Sequence, residues 1–212
     1  MNNQVIEDIV RHVVSNIEVD QYTRKFITNK DTIQNYVFVN NGNIEDTKAH
    51  LLCSIEWRRK NLADKYIDIY NQNREDVCIL YRQSNNPVIY CSLGTKLDIE
   101  NLFNYICCLV ENELLTKNAK NYILVFDCRM VGIDYLLNLN QIIQGIKTIK
   151  QHFPERLKNL FIVNSNPTIN TIYDGIDFLL NDHIKKKIKF ITDYDVLLEE
   201  GHSQLVDYLN NN

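Results

Sequence analysis

The densest cluster of groups capable of chemistry is Lys185-Lys-Lys-Ile-Lys189, four cations within five residues that run into an apolar segment. Charge at that density can meet anionic lipid headgroups, or it can be a solvated helix end whose cations offset the macrodipole. Asp127 ends the apolar run Tyr122-Ile-Leu-Val-Phe126. In an α/β fold a carboxylate there can be catalytic; its plainer role is to cap the loop that follows. The histidines His12, His50, His152, His183 and His202 are dispersed and read as solvated or partly packed side chains, mostly on helical surfaces. The cysteines Cys53, Cys78, Cys91, Cys107, Cys108 and Cys128 include no C-x-x-C pair, and several lie in apolar runs such as Tyr105-Ile-Cys-Cys-Leu-Val110. They read as small buried hydrophobes, not zinc ligands. Phosphate-loop, dinucleotide, nucleophile-elbow and zincin patterns are absent, and with 6 glycines no segment makes a glycine-rich phosphate cradle. No catalytic residue, metal site or cofactor is expected.

The elements around these residues follow from periodicity. Val5, Ile6, Ile9, Val10, Val13, Val14 and Ile17 recur at three- and four-residue spacing and make one helical stripe. Asp31-Thr32 can cap a short helix carrying Ile33, Tyr36 and Val37, and Ile44 to Trp57 makes another after Asn40-Asn41-Gly42. From Val77 the pattern changes. Pro87 to Leu93, Tyr122 to Phe126, Leu160 to Val163 and Ile188 to Ile191 read as strands, with helices over Ile99 to Leu115 and Asp134 to Gln151 between them. Ile169, Ile172, Tyr173, Ile176, Leu179 and Leu180 form a further apolar helix stripe, ordinarily a core face. Strands separated by helices imply βαβ units and a largely parallel sheet. The expectation is an α/β fold: an all-helical region over 1–72, then a domain over 73–212 with a parallel-dominated sheet.

Bulk properties agree with a folded globular protein. The chain has 212 residues, 45% hydrophobic and 24% charged, which is ordinary composition for a packed domain. A net charge of −4 and a pI near 5.7 argue against a broadly basic nucleic-acid binder. There is no signal-peptide pattern at the N-terminus and no apolar run of the ~20 residues that span a bilayer. A reduced, cytoplasmic protein is expected.

His152-Phe-Pro-Glu-Arg-Leu157, Leu160-Phe-Ile-Val-Asn164, Phe178-Leu-Leu180 and Lys187-Ile188 together resemble the CRAL-TRIO lipid-binding family, in particular its fungal-type phosphatidylinositol/phosphatidylcholine transfer proteins. Asn86-Pro-Val-Ile-Tyr90 with Leu93-Gly94 is similar to the family's Arg-Pro-Val strand and following glycine, and Phe126-Asp127 with Gly132 to its Asp-terminated strand. Trp57-Arg-Arg-Lys60 resembles the end of its helical lead-in, so the likeness runs roughly from Asp31 to Thr192.

The resemblance implies a soluble carrier that holds phosphatidylinositol or a phosphoinositide in an apolar cavity. The helix carrying Ile169, Ile172, Tyr173, Ile176, Leu179 and Leu180 would be a gate facing the acyl chains. Glu155 and Lys187 match headgroup residues of the family's phosphatidylinositol binders. Lys185, Lys186 and Lys189, with nearby Lys150, Arg156 and Lys158, would meet a phosphorylated headgroup or an anionic membrane, making the protein peripherally membrane-associated. Departures exist. The family's basic lead-in block is Asn35-Tyr-Val-Phe-Val-Asn40 here, small hydroxyl positions used for phosphatidylcholine are Tyr122 and Leu124, and the terminal Leu-Pro block is missing. Alternatives are an interaction module with a degenerate pocket, a carrier of another small hydrophobic ligand, and an enzyme on a flavodoxin-like sheet.

Overall fold

The computed structural model describes residues 3–63, 74, 76–94 and 98–211, and the expected boundary at 72–73 lies outside the described residues. The chain opens with helices α1 (Asn3–Asn16), α2 (Gln21–Thr28), α3 (Lys30–Val39) and α4 (Ile44–Arg58), the last continued by a π-helical turn, Arg59–Ala63. Side-chain caps fix where three of them start. Asp20 Oδ1 accepts from the Thr23 amide at 2.6 Å, Asn29 Oδ1 from Thr32 at 3.1 Å, and Asn43 Oδ1 from Glu45 and Asp46 at 3.1 and 3.2 Å. Each satisfies an amide that a first helical turn leaves unbonded. Asn29, in extended conformation, therefore caps α3 in place of the expected Asp31-Thr32. The α1 stripe is buried as its spacing predicts, with Ile6, Ile9 and Val13 packed among Phe26, Ile33, Leu51 and Ile55.

Strands β1 (Val77–Gln83) and β2 (Asn86–Ser92) form an antiparallel hairpin. Its turn residues Ser84 and Asn85 have φ of 49° and 64°, the left-handed pair that suits a tight two-residue turn. Strands β3 (Tyr122–Asp127), β4 (Leu157–Val163) and β5 (Ile188–Ile191) follow, each parallel to the one before, in spatial order β1-β2-β3-β4-β5. Helix α5 (Ile99–Thr116) connects β2 to β3. Helices α6 (Asp134–Leu137) and α7 (Leu139–His152) connect β3 to β4. Helix α8 (Pro167–Ile176), a 3₁₀ turn (Asp177–Leu179) and α9 (Asp182–Lys185) connect β4 to β5. Right-handed crossovers in a sheet laid down in chain order all pass over the same face. Tyr122, Leu124 and Ile162 accordingly point towards α5, α7 and α8. Ile123, Val125, Phe161 and Val163 alternate to the opposite face, covered by α10 (Asp195–Glu199) and α11 (Ser203–Asn211). The fold is mixed α/β with a parallel-dominated sheet and a helical N-terminal region.

Two helices differ from their sequence expectation. The span 134–151 is broken at Asn138, which has φ −106° and ψ 20° and whose Nδ2 donates to the Asp134 carbonyl at 2.9 Å. Such a bond competes with continued helix. The span 169–180 starts earlier, at Pro167 behind an Asn166 cap, and tightens into the 3₁₀ turn from Asp177. Gly175, a poor helix former, sits in its last turn.

A buried ion pair ties the N-terminal helices to the sheet domain. Arg58, 2% exposed, donates through Nε and Nη2 to Glu111 of α5 at 2.9 and 3.2 Å. Tyr22 Oη donates to the same carboxylate at 2.7 Å. Arg58 Nη2 and Tyr36 Oη also donate to the His152 carbonyl, at 2.6 and 3.0 Å, placing a cation at the negative end of α7. The His152 ring stacks on Trp57 with centroids 4.2 Å apart, and Ser54 Oγ lies 2.9 Å from its Nδ1. Burial, with Arg58 nearby, holds the His152 pKa down to about 3 from 6.5. His152 and His202, at 5% and 1% exposure, are thus core residues rather than surface ones.

Glu111→Ala strands the Arg58 guanidinium in the interior and is expected to cost ~3–5 kcal/mol by urea denaturation. Arg11→Ala, which removes an exposed pair with Asp8, is expected to leave the midpoint unchanged. The two histidines also set an acid limit. Their folded pKa values lie below the unfolded value, so the unfolded chain takes up the protons first. The contribution of His152 should be full above about pH 6.5 and decline as pH falls toward 3, by up to about 1.4 kcal/mol per pH unit, and that of His202 should change in the same direction. Carboxylates held low, such as Asp127 and Glu155, stabilise fully above about pH 4.5 and lose that stabilisation only below it, outside the window tested. Denaturation midpoints between pH 7.5 and 5 should therefore fall in the wild type and fall less steeply in His152→Gln; equal slopes would contradict the assignment.

Candidate functional site

Between the crossover face of the sheet and helices α5, α7 and α8 lies a cavity of about 410 Å³. Its floor is Tyr122, Leu124, Phe126, Leu160, Ile162 and Ile188 from the strands. Leu102 and Phe103 of α5 and Ile142, Ile146 and Ile149 of α7 make the walls, and Ile169, Ile172, Tyr173 and Ile176 of α8 make the cover. The cavity exists because the crossover helices present branched and aromatic side chains inward from helical spacing while the strands present alternate residues upward. Cys128 lines it as well, and burial pushes this thiol up to about 12, so it stays protonated and behaves as a small hydrophobe.

Polar groups gather at one end. Glu155 and Lys187 line the cavity there, with Lys150, Asn181 and His50. Glu155 Oε2 accepts from Lys187 Nζ at 2.9 Å and from His183 Nε2 at 2.7 Å. Burial raises the Glu155 pKa, but these two hydrogen bonds outweigh it and hold the carboxyl below its ordinary range. The side chains of Glu155 and Lys187 are 19% and 17% exposed, so the pair is reachable yet shielded from the full screening of water. Its internal neutralisation keeps two charges beside an apolar space at tolerable cost.

Local backbone explains this placement. Glu155 has φ 57°, an uncommon conformation for a residue with a Cβ. The turn it makes lets its neighbour Arg156 point elsewhere, with Nη1 donating to the Lys120 carbonyl and Nη2 to Thr32 Oγ1, both at 2.7 Å. Lys187 lies in the turn before β5, and its carbonyl accepts from Leu160 at 2.8 Å, which pins its backbone beside β4. Lys150 Nζ donates to the Leu179 carbonyl, joining α7 to the end of the covering segment.

The structure gathers some of the expected residues and separates others. Glu155 and Lys187 meet, and Ile169, Ile172, Tyr173, Ile176 and Leu180 all line the cavity. Leu179 is half-buried and is not among the lining residues, because the 3₁₀ turn rotates it out of the α8 stripe. The cations 185–189 do not form one strip. Lys185 pairs with Asp177 at 2.6 Å, Lys187 faces the cavity, and Lys189 lies over the Phe161 ring on the opposite sheet face while bonding Glu200. Lys186 is not among the residues that line the cavity. Arg156, at 4% exposure, is an interior tie between α3 and the sheet domain rather than a membrane contact. Asp127 caps its loop, accepting from the Arg129 amide at 3.2 Å, and also from Tyr90 Oη and Asn164 Nδ2.

The sequence reading did not place His50 or His183 at the site. His50 Nε2 donates to the Gln151 carbonyl at 2.8 Å, leaving Nδ1 to accept from Asn40 Nδ2 at 3.1 Å. His183 reaches Glu155 from α9, with its ring 6.2 Å from that of Phe38. No sequence pattern pointed to His183, which lies in α9 while Lys187 lies in the turn beyond it. Among the described residues, no helix is long and apolar enough to cross a membrane.

This arrangement can enclose hydrocarbon and grip one polar end. No curated protein matches the sequence. The chain is similar in fold to a solved structure, the crystal structure of Sfh5, with a TM-score of 0.68 at 14% identity, covering 90% of this chain and 80% of that one. The family model for the CRAL/TRIO domain matches residues 66–209. The chain belongs to the CRAL/TRIO domain family, whose members are generally lipid-binding or lipid-transfer proteins.

Proposed function

We propose that this protein carries phosphatidylinositol or a phosphoinositide between membranes, with the acyl chains in the cavity and the headgroup at Glu155 and Lys187. The observation that carries the reading is an apolar cavity closed by α8 whose polar groups converge at one end on that pair. Hydrocarbon exposed to water costs about 0.8 kcal/mol per CH₂, so a lipid leaves a bilayer only into a space of this kind. Lys187 supplies a point charge to a phosphate oxygen. Glu155 supplies an acceptor for inositol hydroxyls. Glu155 and Lys187 pair with one another, and a headgroup would exchange one set of charge-assisted hydrogen bonds for another.

Helix α8 acts as the gate. It contributes four aliphatic or aromatic side chains to the cover and is held at its far end through the Lys150 bond to Leu179. Opening it at a membrane surface admits the lipid, and closing it seals the chains from water. Phe178, 73% exposed in the 3₁₀ turn, projects from this segment, where it can enter the headgroup layer as the gate swings.

Uptake from vesicles tests the reading. Protein incubated with phosphatidylcholine vesicles containing phosphatidylinositol, then separated and extracted, should retain phosphatidylinositol near one per chain. Lys187→Ala should lower that uptake about tenfold, the loss of one hydrogen bond between charged partners. No retained inositol lipid in the wild type would overturn the proposal. Equal uptake by Lys187→Ala and wild type would overturn the headgroup assignment and favour a neutral hydrophobic ligand.

A further inference from the structure

The cavity wall contains one contact that only glycine permits. Gly145 lies in α7, and the Phe103 ring of α5 rests directly on its backbone. A Cβ at position 145 would stand 2.3 Å from Phe103 Cδ2 and Cγ and 2.6 Å from Cδ1. Those distances are far inside van der Waals contact, and Cγ is tied to the α5 backbone, so the ring as a whole would have to move. It has few places to go. Its α5 neighbours Leu102, Ile106 and Cys107 are buried in the main core, which resists displacement of the helix. Phe103 already lines the cavity, beside Ile142, Ile146 and Ile149. The open direction for the ring is into the cavity itself.

We infer that Gly145 and Phe103 are a specificity pair that sets how much acyl chain the cavity accepts. This inference rests on the lipid-carrier reading and adds to it a selector distinct from the headgroup residues. Position 145 is five residues before Lys150, about 7.5 Å along the helix at 1.5 Å per residue, so the pair flanks the chains inward of the polar end. With glycine at 145 the ring lies flat against α7 and the channel beside it stays open. Any side chain at 145 turns the ring inward and shortens the usable length. Helix propensity alone would favour alanine there; glycine instead fits a need for close helix approach at the cavity wall.

The test compares phosphatidylinositol with two chain lengths, dibutanoyl and dioleoyl, on the intact protein. Gly145→Ala should lower dioleoyl uptake about tenfold while dibutanoyl uptake stays within about twofold of wild type, because four-carbon chains end short of the intruding ring. Gly145→Ala combined with Phe103→Ala should restore dioleoyl uptake. Phe103→Ala alone, which needs no change at 145, should raise the dioleoyl-to-dibutanoyl ratio. An unchanged ratio in Gly145→Ala, an equal loss of both lipids, or no restoration by the second substitution would each overturn the inference. A wild type that takes up neither lipid would instead overturn the carrier reading beneath it.

Discussion

The structure depends on one topological constraint: five strands lie side by side in the order the chain makes them. With that order, every right-handed crossover is forced onto a single face. The sheet consequently has a crowded side, carrying α5, α7 and α8, and a plain side sealed by the short helices α10 and α11. A doubly wound sheet places helices on both faces and opens a crevice where the strand order reverses. Among the described residues the strand order does not reverse, and the apolar space is a cavity under the crossovers rather than a cleft at strand ends.

The second constraint is the attachment of the N-terminal helices. Arg58 is buried against Glu111, lies 4.1 Å from the Phe26 ring centroid, and reaches the carbonyl at the end of α7. Residues 153–156 follow that carbonyl immediately, and they carry both the Arg156 tie to α3 and the Glu155 side chain at the cavity mouth. The polar end of the site is thereby held between two bodies of the protein. Its geometry is inherited from packing some distance away, which is how a residue in an uncommon backbone conformation such as Glu155 can be kept in place.

Much of this was legible in the sequence, and the failures have physical causes. The wholly apolar run at 122–126 declared a buried parallel strand because it is too short for a helix and ends in a polar residue. The α8 stripe was visible at helical spacing, and Glu155 and Lys187 followed from a family resemblance. The β1–β2 hairpin was obscured because its turn uses Ser84 and Asn85, neither of which is glycine. Asn138 broke a helix that periodicity alone would continue. The run 185–189 looked like one basic patch since one-dimensional charge density carries no facing information, and partners at Asp177, Glu155 and Glu200 divide it three ways. Nothing local reveals that Gly145 meets Phe103, since that contact depends on how α5 crosses α7.

The central claim is that the cavity is a lipid site with an inositol headgroup at its polar end. Native mass spectrometry of the full chain, purified without added lipid from cells that make inositol phospholipids, tests it most directly. The account predicts a bound mass corresponding to one inositol phospholipid, released on denaturation and identified by fragmentation. A chain that carries only a neutral hydrophobic molecule, or none at all after such purification, would contradict it.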